Sequence, residues 1–341
     1  MKKLILICTP FIYLYTYAAP LNDSAKIYYD KGIVEKESKR YQQASANFDK
    51  AIKFDANYFD AYLQNAYANT EMRRIDVAKN HFTKANQIQP NNAEVIKELS
   101  TLYYNYRQWD KAIEFINKCT SCENRDRIIG MCNFEKENYM EAERYLLKAL
   151  AKLPNDAQVN YTLARNYMDM DAYRRAVPYL EKAVLLEATK SAWAYELGLL
   201  YYNNNNFRGA VTAFENAEKA GYTVSNDFNE NYGYALLYSG QFLKGEEKLF
   251  DIYKRKGNPE MLRELAQILY DQKQYDRSLD YCQRLLELNP KDGKALYQAG
   301  LSFIKLGKKD KGQSMCDKAI ELDPSLASKK SSVGDMGGGG L

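Results

Sequence analysis

A small residue returns at near-constant intervals along the chain: Ala44, Ala78, Ala112, Ala142, Ala176, Ala210, Gly245, Ser278 and Gly312. The successive spacings are 34, 34, 30, 34, 34, 35, 33 and 34 residues. A unit of that length cannot bury its apolar face alone, so a fixed period of this kind predicts a stack of supersecondary units sharing a continuous core. The 341 residues would otherwise suggest two or three ordinary domains, but length is the softer prior.

Three further ladders run in phase with the first. Twelve residues earlier in each unit stand Gly32, Ala66, Ser100, Gly130, Ala164, Gly198, Gly233, Ala266 and Gly300. Four residues later comes a bulkier series: Phe48, Phe82, Ile116, Leu146, Leu180, Phe214, Leu249, Cys282 and Cys316. Three residues beyond that lie Ala51, Ala85, Cys119, Ala149, Ala183, Ala217, Ile252, Leu285 and Ala319. Small residues let two helices approach, bulky ones fill the space between them, and Pro90, Pro154, Pro290 and Pro324 stop the second helix of several units. The pattern resembles the tetratricopeptide repeat, a helix–turn–helix unit. The resemblance implies an all-α fold, a right-handed superhelical solenoid of about nine repeats over residues 25–326. The expected units are 25–58, 59–92, 93–122, 123–156, 157–190, 191–225, 226–258, 259–292 and 293–326. The ninth reads as its own cap, because Lys308, Lys309, Asp310, Lys311, Gln313, Asp317 and Lys318 make its second helix polar outside.

The two ends read differently. Lys2 and Lys3, an apolar run from Leu4 through Tyr17 and the small pair Ala18-Ala19 follow the order of a secretory signal. Pro10 interrupts the run, which falls short of the roughly 20 apolar residues that span a bilayer. Cleavage is expected after Ala18, giving a signal peptide over 1–18 and a short linker over 19–24. Cys8 lies too early in the run for a lipoprotein cysteine. The address read from this is Sec-type export to the periplasm or cell envelope, or secretion beyond it, with no membrane span left after cleavage. Residues 327–341, with Lys329, Lys330, Ser331, Ser332 and Gly337 to Gly340, read as a flexible Gly/Ser/Lys tail.

The resemblance also implies where a partner would sit. In this family the first helix of each unit lines the concave groove through its second, fifth, ninth, twelfth and thirteenth positions. Carried over, fifth positions include Tyr161, Tyr195 and Arg263; ninth positions include Arg165, Tyr234 and Gln267; Tyr202, Tyr238 and Tyr270 fall at the twelfth or thirteenth. Tyrosine joins a large apolar area to a hydroxyl with few rotors to freeze, which suits an extended peptide or partner helix. On this reading Tyr195, Tyr202 and Tyr234 face solvent in the free protein, with framework packing as the alternative role for the groove tyrosines, and Arg165 and Arg263 are placed to take a ligand carboxylate as a bidentate pair. Tyr41, Trp109, Tyr139, Tyr173, Phe207, Phe242 and Tyr275, three residues before the first ladder, are assigned to packing. Some members clamp a terminal carboxylate with lysine at the fifth and asparagine at the ninth position; here Lys97 is followed by Thr101, and no unit carries that pair.

The cysteines gather where the period falls to 30, a junction at which the third unit's second helix loses about one turn. Cys119 and Cys122 have the C-x-x-C spacing and Cys132 follows closely, so a disulfide among these three is expected in an oxidising compartment, with three pairings open. A redox site of the thioredoxin kind needs a βαβ context that is absent, and zinc needs four ligands where the sole histidine, His81, lies in another unit. Cys282 and Cys316 occupy the bulky core position of adjacent units. Stacked helices lie about 8–10 Å apart, beyond disulfide reach, so both are expected to be buried thiols.

No catalytic constellation, glycine-rich phosphate loop or cofactor motif appears in the chain. Net charge is +4, or +2 once Lys2 and Lys3 are removed. The expected role is therefore a non-enzymatic scaffold or adaptor, without cofactor or metal, that binds a protein or peptide partner. A helical-repeat nucleic-acid binder is the second reading. It is opposed by a groove mixing Lys97, Arg127, Arg165 and Arg263 with Glu71, Glu94, Glu230 and Glu264. A third reading, an accessory subunit with a redox-active cysteine pair, rests on the cysteine cluster alone.

Overall fold

The computed structural model describes residues 23–327. The segments expected as signal peptide (1–18), linker (to Asn22) and tail (beyond Ala327) lie outside the described residues. Among the described residues the chain is all-α, as the ladders require, and forms two compact units divided between Ala149 and Leu150.

The first unit contains α1 (Asp23–Glu37), α2 (Tyr41–Phe54), α3 (Phe59–Glu71), α4 (Ile75–Ile88), α5 (Ala93–Asn105), α6 (Trp109–Asn117), α7 (Arg125–Glu135) and most of α8 (Tyr139–Lys152). The second holds α9 (Ala157–Asp169), α10 (Tyr173–Leu186), α11 (Ser191–Asn203), α12 (Phe207–Lys219), α13 (Asn226–Tyr238), α14 (Phe242–Lys256), α15 (Pro259–Asp271), α16 (Tyr275–Leu288), α17 (Gly293–Lys305) and α18 (Lys309–Leu322). A 3₁₀ turn, Pro324–Leu326, follows. Odd-numbered helices are the first of each pair and even-numbered ones the second. From α1 to α7 in the first unit and from α9 to α18 in the second, a first helix packs on its own second helix and that second helix on the next first helix, as α3 with α4 and α4 with α5. Successive first helices also touch directly, α13 with α15 and α15 with α17.

Local chemistry sets the ends. Asp156, Ser225 and Asp292 cap α9, α13 and α17 by accepting from the backbone N–H of Val159, Phe228 and Ala295 at 3.0, 3.1 and 3.0 Å. Each first helix stops at a left-handed residue: Lys39, Arg73, Arg107, Glu137, Asp171, Asn205, Gly240, Lys273 or Gly307. That backbone reversal turns the chain so that the second helix lies back on the first. The packing aromatics come two residues later, where Tyr41, Trp109, Tyr139, Tyr173, Phe207, Phe242 and Tyr275 each open a second helix, half-buried.

The first small ladder is buried at every member, and its bulky partners from Phe48 to Cys316 are at most 3% exposed. The reason for small side chains is geometric. A Cβ added at Gly198 would lie 2.5 Å from the Phe214 ring, and one at Gly312 would lie 2.5 Å from the Gly300 carbonyl oxygen. Those distances leave no room for a methyl group.

At the irregular junction α6 has nine residues, whereas α2 and α4 have 14 each. Cys119 and Cys122 are joined by a disulfide that closes the α6–α7 connection. Cys132, Cys282 and Cys316 are buried thiols, and burial pushes the Cys132 and Cys282 thiols up to about 12.

Candidate functional site

The predicted groove residues lie on the first helices of the second unit, and most of them are already engaged by the neighbouring repeat. The Tyr161 ring on α9 stacks on Trp193 of α11, centroids 4.4 Å apart, and its hydroxyl donates to Glu196 Oε1 at 3.0 Å. Arg165, one turn along α9, pairs with the same carboxylate at 3.5 Å and with Asp169 at 3.8 Å. Burial raises the Glu196 pKa, against the opposing pull of the Arg165 cation and the Tyr161 hydroxyl.

Tyr195 stacks on Tyr222 at 4.5 Å and Phe228 at 5.6 Å, and its hydroxyl accepts from Asn231 Nδ2 at 2.9 Å. Tyr202 meets Tyr238 edge-on at 6.2 Å, while Tyr238 stacks on Phe207 at 4.9 Å. Tyr234 donates to Glu264 of the next first helix. Tyr270 packs edge-on against Tyr275 at 5.3 Å.

This corrects the expectation that Tyr195, Tyr202 and Tyr234 stand free in solvent: all three are half-buried, as are Tyr161, Tyr238 and Tyr270. Helix axes about 8–10 Å apart bring a long side chain on one first helix within reach of the next. Truncating Tyr195, Tyr202 and Tyr234 would therefore remove ties between repeats as well as surface.

Arg263 is corrected likewise. Its Nη1 and Nη2 donate to the two carboxylate oxygens of Asp292 at 3.2 and 3.0 Å, and its Nε donates to Glu260 Oε2 at 3.2 Å. Although burial pushes the other way, this fork and the Ala295 N–H hold the Asp292 carboxyl below its ordinary value. The guanidinium face expected to meet a ligand thus fastens α15 to the cap of α17.

Two openings lie along this face: one of about 200 Å³ whose lining includes the acids Glu230, Glu260 and Glu264, and a larger one further along. Between α15 and α17 lies a cavity of about 320 Å³, lined by Arg263, Gln267 and Tyr270 from α15 and by Lys294, Tyr297, Gln298 and Leu301 from α17. Ala266, Ala295, Leu285, Leu326 and the buried Cys282 make the rest of its lining largely apolar. Lys294 is exposed and has no ion-pair partner among the described residues. Gln298 Nε2 is buried without an acceptor. An unmet donor over an apolar floor suits a ligand bringing an acceptor and an aliphatic group. Sequence reasoning named Arg263, Gln267 and Tyr270 but not Lys294 and Gln298. Their place at the second and sixth positions of the last first helix, beside the preceding unit's groove residues, was the available signal.

Models of the tetratricopeptide repeat match residues 25–58, 161–221, 195–260, 259–292 and 293–326. The chain belongs to the tetratricopeptide repeat superfamily. Among curated proteins it is similar to anaphase-promoting complex subunit 3 of Schizosaccharomyces pombe, 23% identical over 141 residues, 39% of this chain and 21% of that one. It is also similar to human protein O-mannosyl-transferase TMTC1, 28% identical over 161 residues, 47% of this chain and 17% of that one. The chain thus spans about a fifth of the length of the curated relatives it matches. Similar solved structures include MamA MSR-1, with 22% identity, coverage of 49% of this chain and 98% of that one, and a TM-score of 0.43. A tetratricopeptide repeat protein from Parabacteroides merdae shows 18% identity, 64% and 86% coverage, and a TM-score of 0.44.

Proposed function

We propose that this protein is an exported, non-catalytic adaptor whose first-helix face in the second unit docks an extended segment of a protein partner. The cavity between α15 and α17 carries this reading: it alone on that face combines an apolar floor with an unmet buried donor, Gln298 Nε2, and an unpaired cation, Lys294. The tyrosine–carboxylate and arginine–carboxylate ties beside it hold the repeats in register, so the surface is preorganised and ordering it on binding costs little.

Export is supported by the basic, apolar, small-residue order of the first nineteen positions and by a disulfide, which persists in oxidising compartments. Among the described residues no helix is long and apolar enough to cross a membrane. The transferase name of one relative belongs to a protein of which this chain covers 17%. The sole histidine, His81, packs beside Tyr62 and stands 4.0 Å from Asp49 in the first unit, an arrangement of packing rather than catalysis.

The test is site-specific photo-crosslinking in the native host's envelope. A crosslinker at exposed Gln267 should capture a partner protein, while one at Leu243, 72% exposed on the second helix α14, should not. Capture from Leu243 and not from Gln267 would move the interaction to the second-helix face.

A further inference from the structure

Leu326 forms one wall of the α15–α17 cavity, so the described chain ends at the edge of that cavity with Ala327. The residues that follow, 328–336, read Ser-Lys-Lys-Ser-Ser-Val-Gly-Asp-Met. Their two aliphatic side chains, Val333 and Met336, flank their one acid, Asp335. Three requirements of the cavity meet these three residues. Its floor of Ala266, Ala295, Leu301 and Leu326 needs an apolar side chain, Gln298 Nε2 needs an acceptor, and Lys294 needs a negative charge. Arg263 does not compete for that charge, because Asp292 and Glu260 already occupy its guanidinium. Six residues of chain reach up to about 20 Å, so Val333 can reach a cavity that begins beside Leu326.

We propose that residues 333–336 dock in this cavity in cis, with Val333 and Met336 on the apolar floor and Asp335 beside Lys294. The segment then occupies the partner's anchor pocket until a partner displaces it, an extension that rests on the adaptor reading. A short tether supplies an effective concentration of about millimolar, so even docking with a dissociation constant of about 1 mM fills half the cavities and raises the threshold for a competing partner. Ligands that match the cavity less well than Val333, Asp335 and Met336 are thereby excluded.

Hydrogen–deuterium exchange on the full chain tests this. Amides of α15 and α17 should exchange at least about twofold faster when the tail carries Val333→Ser, Asp335→Lys and Met336→Ser, the change expected when a half-filled site empties. The tail substitutions change no residue of α1–α18 and leave those helices folded. Lys294→Glu should accelerate the same amides, and Asp335→Lys in that background should restore the slow rate. Identical exchange in wild type and the tail variant would overturn the proposal, as would a Lys294→Glu effect that Asp335→Lys does not reverse. The two readings separate cleanly. Unchanged exchange with partner capture at Gln267 ends the cis contact and keeps the adaptor. Tail-dependent protection without capture at Gln267 keeps the contact and ends the adaptor role for this cavity.

Discussion

One methyl group distinguishes two versions of the same helix contact. Ala66 stands opposite Phe82 with both side chains at most 1% exposed, whereas at Gly198 an added Cβ would meet the Phe214 ring at 2.5 Å. Gly198→Ala should therefore destabilise the protein, by up to about 2 kcal/mol: overpacking costs about 1–3 kcal/mol, and the better helix propensity of alanine, about 1 kcal/mol, offsets part of it. Thermal unfolding beside wild type measures this, and an unchanged or raised melting temperature would show that α11 and α12 relax apart at no cost. The ladders were legible in the sequence because such contacts repeat in phase nine times. The roles of Tyr195 and Arg263 were not, because the partners that engage them, Tyr222 in the α12–α13 connection and Asp292 at the cap of α17, lie 27 and 29 residues away.

Among elements, the shortened helix α6 departs most from the pattern. Cys119 stands where other units place Ala51 or Ala85, is 5% exposed, and shares a core with Ile96, Ile116, Ile128 and Cys132. Its disulfide to Cys122 closes the connection that the missing helical turn leaves unsupported, and Cys122 Sγ lies 3.6 Å from the Ala93 carbonyl at the start of α5. Closing so short a loop contributes about 2 kcal/mol in the chain-entropy account. A chain with Cys119→Ala and Cys122→Ser should lose about that much stability, and a reductant should do the same to wild type but not to the variant. Denaturant unfolding with and without dithiothreitol checks this, and equal midpoints for all four samples would reduce the clip to packing. The 30-residue spacing and the C-x-x-C pair marked this junction in the sequence; which two of the three cysteines pair depends on the path of the loop, which spacing does not encode.

Across the whole molecule, the all-α repeat fold followed from one periodicity, whereas the candidate site did not. Position within a repeat selects the face a side chain occupies, but neighbouring repeats decide whether that side chain remains available. On the first-helix face of the second unit they consume Tyr161, Arg165, Tyr234 and Arg263, and leave the α15–α17 cavity open. The central claim is that a partner segment is anchored there. It is tested most directly by placing an indole over the cavity mouth, Lys294→Trp, at an exposed position where the fold tolerates it. Recovery of the partner crosslinked or captured from envelope extract should fall at least about tenfold, a loss of about 1.4 kcal/mol, while the melting temperature stays that of wild type. Recovery equal to wild type with the cavity mouth blocked would contradict the account.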